Sequence, residues 1–197
     1  MPEPVETLNE LFSRASSLYP SNPLFGVRGG DGDWDWTTYA EVGTAVDQAR
    51  GGLASLGVSK GDRVAIISDN RVEWAVGAYG AFTLGTVWVP MYEAQTQKDW
   101  QFILADSGAK VMFAATDGIR AQVEEIQDQL PDLEMIVVID DPAGGNAIDY
   151  TELLARGSES PAPVVDVDPS DLAGLIYTSG TTGNPKGVML SHGNLTT

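Results

Sequence analysis

The chain of 197 residues has no cysteine, one histidine and few positive charges. Without cysteine it can form no disulfide, no thiolate metal site and no cysteine nucleophile. Eleven lysine and arginine residues stand against 28 aspartate and glutamate residues, which gives a formal net charge of −17. Because phosphate backbones are bound by clustered cations, this balance argues against a nucleic-acid partner.

The sequence also lacks a clear membrane span or export signal. Residues 74–92 carry no charge, but Gly77, Gly80, Gly85 and Pro90 interrupt them. This composition predicts a buried helix followed by a buried strand. No basic and apolar N-terminal signal is present, so the expected location is the cytoplasm. Peripheral membrane association stays open, and nothing in the sequence indicates an oligomeric state.

Helix starts can be predicted from four capping-box patterns, in which a side chain accepts from the backbone three residues later. They are Thr7-x-x-Glu10, Thr38-x-x-Glu41, Asn70-x-x-Glu73 and Thr96-x-x-Asp99. Between the first two patterns, residues 24–28 and 34–37 predict a β-hairpin around a glycine-rich turn.

From Asp62 onward, short apolar runs alternate with helical patterns. We predict strands over 63–68, 86–92, 110–115 and 134–140, and helices over 117–130 and 150–156, followed by an extended connector over 157–169. Strands that are apolar throughout and separated by helices indicate a parallel sheet covered on both faces. The predicted fold class is therefore α/β, a doubly wound and mostly parallel sheet with flanking helices.

The most informative stretch is residues 177–187, Tyr-Thr-Ser-Gly-Thr-Thr-Gly-Asn-Pro-Lys-Gly, between the apolar runs 172–176 and 188–190. It predicts two short strands joined by a loop rich in glycine and hydroxyls. Backbone N–H groups, hydroxyls and a lysine in such a loop can bind a polyphosphate. It is not a Walker A loop, since Lys186 is followed by Gly187 and then by a strand. The simpler alternative is a hairpin with a Gly/Thr-rich turn.

At these residues the chain resembles the adenylate-forming enzymes, which include acyl-CoA synthetases, luciferases and the adenylation domains of peptide synthetases. The family's phosphate loop reads Tyr-Thr-Ser-Gly-Thr-Thr-Gly-x-Pro-Lys-Gly, and residues 177–187 match it throughout. The resemblance implies that ATP activates a carboxylic acid as an acyl-adenylate, with Mg²⁺ as cofactor and coenzyme A as co-substrate. It extends over residues 5–197.

The resemblance assigns roles within the loop. Lys186 is the expected catalytic cation for the β- and γ-phosphates, and Thr178 is expected near Mg²⁺. The remaining expected nucleotide-binding residues are Ser179, Gly180, Thr181, Thr182, Gly183, Asn184, Pro185 and Gly187. The three glycines are expected to give the loop its shape. His192, the single histidine, is expected to cap or pack rather than act as a base.

Residues 87–93, Val-Trp-Val-Pro-Met-Tyr-Glu, together with 106–110, Asp-Ser-Gly-Ala-Lys, are similar to long-chain fatty acyl-CoA synthetases. A long-chain fatty acid is therefore the expected substrate. A fatty acyl-AMP ligase, an aryl-CoA ligase and a non-catalytic nucleotide-binding fragment remain alternatives. In the family several hundred residues follow the loop, so we expect an incomplete N-terminal part of the domain that is inactive alone.

Overall fold

A seven-stranded sheet forms the centre of the computed structural model, which describes residues 4–30, 32–140, 144–178 and 185–197. The strands in the described part are β1 (Pro23–Arg28), β2 (Trp34–Thr38), β3 (Arg63–Ile67), β4 (Val87–Met91), β5 (Val111–Ala114), β6 (Met135–Val138), β7 (Ile148–Asp149), β8 (Leu172–Thr178) and β9 (Lys186–Ser191). β1 and β2 pair as a separate antiparallel hairpin. The sheet order is β7-β6-β5-β3-β4-β8-β9, with every pair parallel except β8 and β9.

Helices cover both faces of this sheet. Those in the described part are α1 (Leu8–Leu18), α2 (Tyr39–Ser55), α3 (Val72–Thr83), α4 (Gln97–Ser107), α5 (Asp117–Glu124), α6 (Tyr150–Glu159) and α7 (His192–Thr196). Val64 and Ile66 of β3 join one buried cluster, with residues of α1, α2, α3 and α6. Ala65 and Ile67 join the other cluster, with residues of α4 and α5. The predicted doubly wound α/β class is therefore confirmed.

The uncharged run 74–92 forms most of α3 and then β4, as predicted. In β4, Val89 is fully buried and Trp88 is 2% exposed, so this run belongs to the protein core. Within the described ranges, no helix has the length and apolar character needed to cross a bilayer.

Three of the four predicted capping boxes are present, at Thr7, Thr38 and Thr96. Each threonine side chain accepts from the backbone N–H three residues later. The carboxylate of Glu10, Glu41 or Asp99 accepts from the threonine backbone in return. These reciprocal bonds satisfy N–H groups that a helix start otherwise leaves unpaired.

The fourth predicted cap, at Asn70, is wrong. α3 begins at Val72, and its N-cap residue Arg71 makes no side-chain capping bond. The Nε of Arg71 donates to Oε2 of Glu73 at 2.8 Å, and its guanidinium also binds Asp140. The pattern predicts that the Glu73 carboxylate accepts from the backbone at the start of the helix. It binds the guanidinium of Arg71 instead.

Two helix boundaries also differ from the prediction. α5 ends at Glu124, not at Leu130, and a 3₁₀ turn follows at Gln127–Gln129. The break allows Ile126, Leu130 and Leu133 all to be buried. α6 continues to Glu159, so the connector starts later than predicted, and the two-residue strand β7 was missed.

The longer α6 is explained by its contact with α2, where three glycines allow the helix backbones to touch. A Cβ on Gly157 would overlap the backbone oxygen of Gln48, and a Cβ on Gly51 would lie 2.8 Å from the oxygen of Gly157. A Cβ on Gly52 would overlap the oxygen of Leu153. Gly157 therefore continues α6, because only its missing side chain allows this approach.

We predict that Gly157→Ala destabilises the protein by about 3 kcal/mol or more, since the backbone of α2 must move to admit the methyl group. Gly43→Ala is the matched control, because Gly43 lies in α2 and a Cβ added there would have no atom within 4 Å. The control should be neutral or stabilising by up to about 1 kcal/mol. Urea denaturation of both variants measures the difference, and equal effects would contradict the close-contact explanation.

Candidate functional site

The predicted phosphate loop connects β8 to β9. These strands pair antiparallel from Leu172 with Ser191 to Thr178 with Lys186, so the last pair stands at the base of the loop. The predicted ligands Ser179, Gly180, Thr181, Thr182, Gly183 and Asn184 lie outside the described residues. The two strands predicted on either side of the loop are confirmed, whereas the loop and its contacts with phosphate stay predictions.

Thr178 and Lys186 are brought together by this pairing. Directly paired residues on antiparallel strands point to the same face, with Cβ atoms about 5 Å apart. Both side chains are exposed, and Pro185, beside Lys186, is half-buried. Within the described ranges Lys186 forms no ion pair, whereas Lys60 binds Asp171 and Lys110 binds Asp62 and Glu134. The base of the loop therefore presents an ammonium group and a hydroxyl toward solvent.

The opposite face of the hairpin carries Tyr177, which pairs with Gly187. The hydroxyl of Tyr177 donates to Oδ2 of Asp106 at 2.7 Å. Burial, and then this hydrogen bond, raise the pKa of Tyr177, so that its hydroxyl keeps the proton that it donates.

Glycine is needed at position 187 for a different structural reason from the one predicted. It lies in β9 and is not among the glycines with positive φ. A Cβ there would lie 3.1 Å from Cζ of Tyr177, which is closer than side chains normally pack. Its lack of a side chain therefore makes room for the Tyr177 ring, whereas Gly180 and Gly183 lie outside the described residues.

A cavity of about 160 Å³ lies beside the hairpin, at the carboxyl ends of β3 and β4. Its lining residues are Ser68, Asn70, Trp74, Pro90, Met91, Tyr92, Gln95, Ile176 and Tyr177. Doubly wound sheets bind ligands at this edge, in the crevice beyond the strand ends. Ser68, Asn70 and Gln95 were not predicted as site residues, although their positions at or after the ends of predicted parallel strands could have indicated them.

Magnesium is expected to be bound together with the nucleotide. Among the residues that the structure describes, no group of three or more histidine, aspartate or glutamate side chains could hold a metal ion. Mg²⁺ in nucleotide sites is bound largely by phosphate oxygens and water, with few protein ligands. The exposed hydroxyl of Thr178 fits a single-oxygen contact of this kind.

His192 is a packing residue, as expected. Its side chain is fully buried, and its Nδ1 accepts from the N–H of Leu8 at 3.3 Å. Its ring lies edge-on to Phe82, with centroids 5.9 Å apart. The cap of α7 is the neighbouring Ser191, whose side chain accepts from the N–H of Asn194. His192 thus links the end of the described chain to α1.

This burial predicts a pH-dependent stability. Burial lowers the pKa of His192 below its ordinary value of 6.5, because the charged imidazolium is disfavoured in the core. The unfolded chain then binds a proton below pH 6.5 that the folded chain does not. The free energy of unfolding should therefore fall as the pH drops below 6.5, and be insensitive to this group above it.

The measurement is urea denaturation between pH 7.5 and 5.5, compared with His192→Gln, whose amide oxygen can still accept from Leu8. Since the chain has one histidine, the wild type should lose more stability than the variant over this window. Parallel pH profiles would show that His192 is accessible to protons in the folded state.

The sheet and hairpin define an α/β domain with a phosphate-loop sequence at the carboxyl edge of its parallel strands. A family model described as AMP-binding enzyme matches residues 12–197. The chain therefore belongs to the AMP-binding enzyme family.

Curated relatives agree with this assignment. The chain is 41% identical to a long-chain-fatty-acid–CoA ligase of Mycobacterium tuberculosis over 168 residues, covering 84% of this chain and 28% of that enzyme. It is 30% identical to the peroxisomal long chain acyl-CoA synthetase 7 of Arabidopsis thaliana, covering 97% of this chain and 29% of that enzyme. The chain thus spans less than a third of the length of these relatives.

A solved structure supports the fold. The crystal structure of the anthranilate CoA ligase AuaEII in complex with anthranoyl-AMP matches with a TM-score of 0.84 and 24% identity. The match covers 98% of this chain and 36% of that enzyme. At this identity it shows the shared architecture alone.

Proposed function

We propose that residues 5–197 form the N-terminal part of an adenylate-forming domain, and that the whole protein is a long-chain-fatty-acid–CoA ligase. The observation that carries the proposal is the hairpin. Its strands present Lys186 and Thr178 at the base of a loop whose sequence matches the family's phosphate loop throughout. We further propose a cytoplasmic location.

In the first half-reaction, a carboxylate oxygen of the fatty acid attacks the α-phosphorus of ATP. The bond from this phosphorus to the bridging oxygen of the β-phosphate breaks, which releases pyrophosphate and leaves acyl-AMP. Negative charge accumulates on the leaving pyrophosphate. A cation fixed beside it stabilises the transition state more than it stabilises bound ATP.

Lys186 would supply that cation. It is exposed at the base of the loop and forms no ion pair among the described residues, so its charge is available to the β- and γ-phosphates. Thr178, opposite it, would offer its hydroxyl to a phosphate oxygen or to the accompanying Mg²⁺, which would neutralise phosphate charge. Ser179, Gly180, Thr181, Thr182, Gly183, Asn184, Pro185 and Gly187 complete the proposed nucleotide-binding set.

In the second half-reaction, the thiol of coenzyme A attacks the acyl carbonyl carbon. The thiol proton is lost, the carbonyl–phosphate bond breaks, and AMP leaves. No pyrophosphate is present at this stage, so the hairpin acts chiefly in the first half-reaction. This separation allows its role to be tested.

A long-chain fatty acid is the proposed substrate. The proposal is supported by the names of the mycobacterial and Arabidopsis relatives, and by residues 87–93 and 106–110 of this sequence. An aryl-CoA ligase would share the adenylation chemistry but prefer aromatic acids. A fatty acyl-AMP ligase would stop at the adenylate, and a non-catalytic fragment would bind nucleotide without turnover.

In the whole protein, Lys186→Ala should lower kcat for acid-dependent ATP–pyrophosphate exchange on the order of 10²–10³-fold, the usual cost of one preorganised electrostatic donor. Thioester formation from supplied acyl-AMP should change much less. Because Lys186 is exposed, the melting temperature should stay close to that of the wild type.

Lys98→Ala is the matched control, since Lys98 is an exposed lysine on α4. It should leave both half-reactions unchanged. Equal losses in the two half-reactions of Lys186→Ala, or a large loss of stability, would mean that Lys186 supports the fold instead.

The substrate proposal predicts the highest kcat/KM for a long-chain acid such as palmitate. A screen of pyrophosphate release over palmitate, acetate, coumarate and amino acids measures this preference. Highest kcat/KM for an aromatic acid would favour the aryl-CoA ligase. Release without thioester formation in the presence of coenzyme A would favour the fatty acyl-AMP ligase.

A further inference from the structure

Tyr177 is held on three sides at the base of the hairpin. Its hydroxyl donates to Asp106 at 2.7 Å, and its ring lies edge-on to Phe102, with centroids 6.5 Å apart and planes at 86°. The third contact is Gly187, over which the ring packs. Phe102 and Asp106 are four residues apart on α4 and therefore share one helix face.

α4 offers a fixed position for these contacts. Its first turn is closed by the capping box of Thr96 and Asp99. At its end, Gly108 adopts φ 62°, and Arg63 donates to the backbone oxygens of Ser107 and Gly108, both at 2.6 Å. The unpaired carbonyls of a helix end are thus satisfied by a residue of β3. The helix that carries Asp106 is tied to the centre of the sheet.

The hairpin itself is less firmly attached. β8 shares one ladder pair with β4, between Trp88 and Gly174, and β9 forms the outer edge of the sheet. Val188 and Met189 of β9 are 43% and 68% exposed. Beyond Gly174, no further ladder pair joins β8 to β4 in the described chain, although Leu175 and Tyr177 pack against the buried cluster that includes residues of α4. Contacts of Tyr177 with α4 are therefore among those that hold the base of the loop against the sheet.

We propose that Tyr177 and Asp106 are positioning residues for the adenylation half-reaction. Their hydrogen bond ties the hairpin to α4 and so fixes the adjacent Thr178–Lys186 pair relative to the sheet. This inference rests on the proposed function, because it concerns the same loop. Small displacements of groups that orient a reacting phosphate are costly, since catalysis of this kind depends on geometry.

The test uses the whole protein with Tyr177→Phe, which removes the hydroxyl but keeps the ring over Gly187, and Asp106→Ala, which removes the acceptor. Each should lower kcat/KM for ATP in acid-dependent ATP–pyrophosphate exchange about tenfold, while thioester formation from supplied acyl-AMP stays within about twofold. The double variant should be no worse than either single one, because both remove the same bond. Asp106→Asn keeps an acceptor oxygen and should restore most of the rate.

Asp99→Ala is the matched control, since it removes the carboxylate half of the capping box of the same helix without touching Tyr177. If it reproduces the selective loss of exchange, the effect comes from α4 stability and the inference is overturned. Full exchange activity in Tyr177→Phe, or equal losses in both half-reactions, would overturn it as well. A wild-type protein that shows no acid-dependent exchange would instead overturn the proposed function itself.

Discussion

Burial of the central strands on both faces is the constraint on which the rest of the structure depends. All residues of β3 except Arg63 are fully buried, and so are the four residues of β5. A strand buried on both sides needs a helical layer on each face, and parallel neighbours need crossover helices between them. The carboxyl ends of β3 and β4 then meet at one edge, beside the end of β8. The position of the candidate site follows from this arrangement.

The sequence was most predictive where the determinant is local. Capping boxes located the starts of α1, α2 and α4, because the interacting groups are three residues apart. The same pattern failed at Asn70, where Glu73 is bound by Arg71, which also pairs with the distant Asp140. The competing partner Arg71 lies inside the four-residue pattern, whereas Asp140, which also binds its guanidinium, is brought near by the fold.

Long-range backbone contacts could not be predicted from the sequence either. Gly157 was predicted to begin the extended connector, but it lies in α6, where its missing side chain allows the backbone of Gln48 to approach. Likewise, the loop motif was recognisable from residues 177–187, whereas the partner of Tyr177 is 71 positions away. The motif was therefore recognisable from local sequence, whereas the contact of Tyr177 with α4 depends on the fold and was not.

The acidic character of the chain is unfavourable for binding an anionic nucleotide. A net charge of −17 creates a potential that opposes ATP, although exposed charges are screened beyond about 8 Å at physiological ionic strength. Local charge near the phosphates therefore matters more than the total. Several cations of the described chain, among them Arg71, Arg120 and Lys60, are already engaged by carboxylates. Lys186 differs from these three, since it forms no ion pair in the described ranges and stands at the base of the loop. Under the proposed function, Lys186 would therefore supply local positive charge where the phosphates of the nucleotide bind.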